Sequence, residues 1–279
     1  MSSPAAAAAQ DRPRRSLYSQ SLRGSYGLGR SVKSKVLPML LFAVMCLPAL
    51  AIVAITAVTG ADQLVGDYPS YLLNLQVVVL IFLASQAPVA VSRDLRFGVM
   101  SLYLSRPLER VDYVSAKYAA MASALFVLTA VPLTLMFAGA LVVGLPIGEQ
   151  IPDYLRAVAG AGLLSLILGG VGLVIAAVTP RRGLAVAAII TVLLVLAGVQ
   201  GIAQDLAIAE GYEGIAPYLG LLSPFPLVLG VQTSVLGASG PLPAPPGTTG
   251  ALAFCAVAVL AVVSSYAALL LRYRSVSVS

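Results

Sequence analysis

Apolar residues fall in long runs along this chain, each about the length a helix needs to cross a bilayer, and polar residues collect between them. The runs predict six membrane-spanning helices, at about 36–58, 71–91, 115–143, 154–178, 184–204 and 250–271. Pro38 falls in the first turn of the first span, where a missing N–H costs little, whereas Pro48 and Pro132 lie inside spans and predict kinks. Tyr68 and Tyr71 form an amphipathic anchor at the entry to the second span. The fourth span is rich in small residues, with Gly160, Ala161, Gly162, Ser165, Gly169, Gly170 and Gly172, which lets neighbouring helices approach closely.

The intervals between spans differ in kind. Residues 1–24 are low in apolar content and read as a disordered cytoplasmic tail. Residues 25–35 are a candidate membrane-surface helix, with Leu28, Val32 and Val36 at helical spacing beside Arg30, Lys33 and Lys35. Gly144–Asp153 reads as an acidic turn and residues 179–183 as a tight basic one. The interval 205–249 is long and not simply polar. Its apolar part, 215–236, is interrupted by Pro217, Pro224 and Pro226, which predicts short half-helices at one membrane face rather than a seventh span. A stiff, proline-rich connection follows over 240–250, and residues 273–279 form a second cytoplasmic tail.

Charge orients the predicted spans. Of the 17 Lys and Arg, all but Arg156 fall on the N-terminal side of the membrane if six spans are drawn. The loops of the opposite side hold Asp62, Asp67, Glu149, Asp153, Asp205, Glu210 and Glu213, seven of the 11 acids. By the positive-inside rule both termini are then cytoplasmic. The expected fold is an all-α polytopic membrane protein with six transmembrane helices, N-in and C-in, a cytoplasmic helix after span two and short outer-face helices before span six.

Composition removes several functions. The chain is 59% hydrophobic and 10% charged, far from the balance of a soluble domain. It has no His, which excludes imidazole-held metals and Ser-His or Cys-His catalysis. Cys46 and Cys255 lie in apolar runs outside any C-x-x-C and read as small hydrophobes. No basic patch with interleaved aromatics points to nucleic acid. No span carries Lys, Arg, Asp or Glu near its middle, so neither a coupling-ion site nor a charged filter is evident. There is no G-x-x-x-x-G-K-[ST], so the chain has no P-loop of its own. The polar residues Asn74, Gln76, Ser85 and Gln86, the most polar set in any span, either line a substrate path or hydrogen-bond between helices. Gln200 and Gln204 are open to the same two readings.

One charged island, Arg93–Lys117, interrupts the apolar sequence. Leu95, Val99 and Leu102 form one helical stripe and Phe97, Met100 and Leu104 its neighbour. The helix they predict ends before Pro107, and a second restarts through Glu109, Arg110 and Asp112. Positive-inside placement accounts for the charges of this loop but not for the density of its apolar residues, which marks a binding surface or lipid contact.

The run Ser92-Arg93-Asp94-Leu95-Arg96-Phe97-Gly98-Val99 through Arg106-Pro107-Leu108-Glu109-Arg110, with Tyr113 and Lys117 beyond it, resembles the segment after the second span of ABC-2 type transporter permeases. The usual Gly-Thr pair reads Gly98-Val99 here. The motif covers 92–117, and the resemblance in architecture extends over 25–272. It implies a permease subunit of an ATP-binding cassette exporter in the cell membrane, not itself an enzyme. Its partners would be separate P-loop ATPase subunits, which bind ATP and Mg, a second permease subunit in a homodimer or heterodimer, and the membrane lipid around the permease. It further implies that Arg93, Asp94, Arg96 and Glu109 make polar contacts with the ATPase, while Phe97, Leu102 and Tyr103 supply apolar ones. The apolar path suits a hydrophobic or lipid-like substrate. A non-transporting assembly or anchoring subunit, and a passive or gradient-driven carrier, are the alternative readings.

Overall fold

The helix spanning Ile147–Val178 is the one against which most of the chain packs. In the computed structural model, residues 17–27, 32–96, 110–179 and 181–275 are described. Residues 17–25 form helix α1. It is followed by α2 (Val32–Thr59), α3 (Tyr68–Asn74), α4 (Gln76–Arg96), α5 (Arg110–Val142), α6 (Ile147–Val178) and α7 (Arg182–Ala209). A 3-10 helix (Ala216–Leu222), α8 (Pro224–Val235) and α9 (Gly247–Ser275) complete the order. Helices α2, α5, α6, α7 and α9 are each long and apolar enough to cross a membrane, and α3 with α4 makes a sixth crossing if that bent pair counts as one span.

Apolar burial cannot draw one helix to another inside lipid, so close packing must do it. The small residues of α6 set up that packing one neighbour at a time. A Cβ added at Gly172 would lie 2.5 Å from Leu83 Cδ1 of α4, and one at Gly169 only 3.3 Å from the Ala122 backbone nitrogen of α5. At Gly170 it would overlap Ser265 Oγ of α9 and lie 2.9 Å from Tyr118 of α5. At Gly160 it would overlap the Gln232 amide of α8. Four glycines thus admit four different helices. Helix α6 is accordingly the most buried of the candidate spans, while α2, α7 and α9 turn Leu47, Val58, Val195, Ile202, Leu252 and Leu260 outward, as lipid-facing helices do.

The second predicted span is not one straight helix. It breaks at Leu75, and α3 and α4 meet at 56°. The cause is local. Asp67 caps a separate short helix, accepting from the Ser70 N–H at 2.9 Å and the Ser70 hydroxyl at 2.8 Å. The hydroxyls of Tyr68 and Tyr71 then tie α3 sideways, to Gln150 Oε1 at 3.2 Å and to the Met45 carbonyl. The backbone stays bonded through the bend. Leu75 N–H donates to Tyr71 O at 3.2 Å, and the Leu75 carbonyl accepts from Val78 at 3.0 Å and Val79 at 3.3 Å. By contrast α2, α4, α5 and α6 continue unbroken through Pro48, Pro88, Pro132 and Pro152.

Other boundaries also shift. The interval read as an acidic turn over Gly144–Asp153 is helical from Ile147, with Glu149 in the first turn of α6, where a carboxylate is favoured by the helix dipole. Residues 17–24, read as part of a disordered tail, lie in α1, and the candidate surface helix over 25–35 is not continuous. The chain turns at Gly27, whose N–H donates to Gly24 O at 3.1 Å and whose φ is +67°, and α2 begins at Val32; residues 28–31 lie outside the described residues. The interval 205–249 contains two short helices, as expected. Pro217 opens the 3-10 helix and Pro224 opens α8, each at a position that tolerates a missing N–H.

Candidate substrate path and coupling end

Opposite ends of the bundle carry opposite charge. At one end the loop after α2 and the first turns of α3 and α6 meet the segment after α8, and Asp67, Tyr68, Glu149, Gln150, Asp153, Ala238 and Ser239 line a cavity of about 270 Å³. Two of its acids already have structural work: Asp67 caps α3, and Asp153 accepts from Arg156 at 2.7 Å. Asp205 lies in the last turns of α7 and Glu210 is its C-cap.

At the other end four helix termini are tied together. Lys117 of α5 donates to the Ala90 carbonyl of α4 at 3.1 Å and sits 5.7 Å from the centre of the Tyr113 ring. Tyr113 meets Tyr273 of α9 edge-on at 5.6 Å. Arg272 of α9 donates to the Ala177 carbonyl in the last turn of α6 at 3.2 Å. A cation at the C-terminal end of a helix, bonded to a late carbonyl, is favoured by the helix dipole. Ser115 and Tyr266 share a hydrogen bond at 2.8 Å, and Tyr118 donates to Leu166 O at 2.8 Å, so α5 is joined to α9 and α6 again further along those two helices.

Arg93, Asp94 and Arg96 fall in the final turns of α4, which places their backbone at this tied end. Phe97, Leu102, Tyr103 and Glu109 lie outside the described residues.

The four polar residues of the second span separate into two pairs. Asn74 is exposed and Gln76 half-buried, and they flank the Leu75 break. Ser85 and Gln86 lie about 15 Å further along α4 at 1.5 Å per residue. Gln86 is buried; its amide donates to Ser85 Oγ at 3.0 Å, and the Ser85 hydroxyl donates to the Phe82 carbonyl at 2.8 Å. Gln200 and Gln204 of α7 are both buried and bond to each other, and Gln204 lines a small cavity together with Pro217, Gly220 and Pro226. Gln232 of α8 does bond between helices, donating to the Arg156 carbonyl at 2.9 Å across the bare face of Gly160.

Sequence reading missed α1 as a contributor to this region. The Tyr18 hydroxyl donates to Ser123 Oγ at 2.8 Å and that of Tyr26 to the Ala124 carbonyl at 2.7 Å, both in α5. The Tyr26 ring lies 5.6 Å from that of Phe82 in α4. Leu17 and Ser25 are buried, whereas Ser19, Gln20 and Arg23 are exposed. Burial pushes the Tyr26 phenol above its ordinary pKa, which keeps it protonated as a donor. The signal was present in the spacing of Tyr18, Leu22 and Tyr26, the same i, i+4, i+8 pattern that drew attention to Leu28, Val32 and Val36.

A family model described as ABC-2 family transporter protein matches residues 50–275. A search of curated proteins finds no match.

Proposed function

From its membership of the ABC-2 transporter family, to which this chain belongs, we propose that it is the membrane-spanning permease of an ATP-binding cassette exporter driven by separate ATPase subunits docking on residues 93–117. Arg93, Asp94, Arg96 and Glu109 make the polar contacts with the ATPase, and Phe97, Leu102 and Tyr103 the apolar ones. The permease works as a dimer in the cell membrane with its basic end and both termini in the cytoplasm.

The observation that carries this reading is the tie between the two flanks of that segment. A force on residues 97–109 acts on α4 and α5 together, because Lys117 joins them at Ala90, and passes to α6 and α9 through Tyr113, Tyr273 and Arg272. Spans without central charge, around a hub of glycine and alanine, favour a hydrophobic or lipid-like substrate over a strongly charged one.

Charge reversal at the docking surface tests the proposal. In Asp94→Lys and Arg96→Glu the chain should still insert in the membrane, and co-purification of a P-loop ATPase should fall sharply. Undiminished ATPase association in both variants would refute docking at this segment.

A further inference from the structure

The contacts of α1 with α4 and α5 point to a ligand groove that the chain itself occupies. Tyr18, Leu22 and Tyr26 form one stripe of the amphipathic segment 17–27. That stripe reaches Phe82 on α4 and Ser123 and Ala124 on α5. Ser123 lies six residues beyond Lys117, about 9 Å along the helix toward the membrane interior. The tyrosines therefore reach past the interface and place two hydroxyls among apolar walls. On α4, Phe82, Gln86 and Ala90 are spaced by one turn and share a face. The Tyr26 ring meets Phe82, Lys117 meets Ala90, and Gln86 lies between them. By this spacing the groove combines the Phe82 wall, the Gln86 amide on the same face of α4, the Ser123 hydroxyl and the Ala124 carbonyl.

We propose that residues 17–27 are a lid over this groove between α4 and α5, and that the groove takes an amphiphile with an uncharged, hydrogen-bonding head once the lid moves aside. The tyrosines occupy it as such a molecule would, with an apolar body against Phe82 and a hydroxyl on Ser123 or Ala124. The head is uncharged because the groove offers hydroxyl, amide and carbonyl groups, while Lys117 is engaged by Ala90 and the Tyr113 ring. Helix α1 is a short peripheral element, joined to the bundle by two tyrosine hydrogen bonds, one ring contact and the packing of Leu17 and Leu22, so its release exposes far less apolar surface than release of a span, and such elements open locally before the core does. The inference rests on the permease reading for its purpose, since a covered lateral groove is a place for substrate to enter from the lipid.

The test uses the full chain in membrane vesicles and a long-chain alcohol bearing a photoreactive diazirine, with labelled positions mapped by mass spectrometry. Tyr18→Phe/Tyr26→Phe keeps both rings and removes both hydroxyl bonds. It should raise labelling at 82–86 and 118–124 on the order of tenfold, as expected for two lost hydrogen bonds. Gln20→Ala, on the exposed face of α1, should leave labelling unchanged. A tethered lid gives the converse. Tyr18→Cys and Ser123→Cys are introduced together after Cys46→Ala and Cys255→Ala, and a bifunctional reagent joins the two new thiols. Joining them should hold labelling at or below the wild-type level. Equal labelling of wild type and the Phe variant would overturn the lid. An increase spread evenly over α6 and α9 would show that α1 only staples the bundle, and would overturn the groove. Neither outcome touches ATPase co-purification, which tests the permease reading separately.

Discussion

Lys117 donates a hydrogen bond to the carbonyl of Ala90 at 3.1 Å, across a sequence separation of 27 that takes in nearly the whole charged island. The two helices that the island joins, α4 and α5, are therefore tied to each other near its base.

Removing that tie should separate folding from coupling. Lys117→Met keeps most of the side-chain stem but loses a charged hydrogen bond and the ring contact, at a cost of roughly 1.5–3 kcal/mol. The expected result is a lowered thermal midpoint in detergent and a larger loss of ATP-dependent transport than of ATPase association. Lys117→Arg should recover much of both. Scanning fluorimetry alongside co-purification measures the two effects.

The glycines of α6 should differ sharply from a glycine with open surroundings. Gly170→Ala places a Cβ against Ser265 and within 2.9 Å of Tyr118, and should destabilise by about 1–3 kcal/mol through overpacking. At Gly183 nothing lies within 4 Å of an added Cβ, so Gly183→Ala should be neutral or stabilising by up to about 1 kcal/mol. Thermal midpoints of the two variants give the comparison.

Gly160 and Gln232 should behave as one unit. Gly160→Ala displaces the Gln232 amide from the Arg156 carbonyl, and Gln232→Ala removes that amide. Each alone should destabilise, and the double variant should be milder than their sum by roughly 0.5–3 kcal/mol, as expected for residues in contact. Strict additivity in a double-mutant cycle would contradict the packing.

Topology can be read with thiol reagents. In a chain with Cys46→Ala and Cys255→Ala, Ser239→Cys should react with an impermeant maleimide applied to intact cells. Ser101→Cys should react only after the membrane is opened. The reverse pattern would invert the proposed orientation.

The spans were legible because bilayer thickness imposes a run length that composition alone reveals, and the short helices after α7 because prolines punctuate that interval. The break at Leu75 was not, since Asp67, Tyr68 and Tyr71 act through partners at Ser70, Gln150 and Met45, two of them distant in sequence. Helix α1 was hidden for a related reason. Three serines, Gln20, Arg23 and Gly24 dilute its apolar residues, and docking on α5 gives Tyr18 and the following Tyr26 a place to bury. Ser85 and Gln86 were visible as polar residues in an apolar run, but their position one turn from the Phe82–Tyr26 contact needed the fold.

The central place of α6 also dictates an order of assembly. Chains enter the membrane from the N-terminus, and α6 emerges only after α2 to α5. Helices α2 and α5 can meet each other early, but Leu83 of α4 and Ala122 of α5 have no glycine to receive them until residues 169–172 arrive. The first half of the protein must therefore wait in the bilayer, half-partnered, for the fourth long helix to be made.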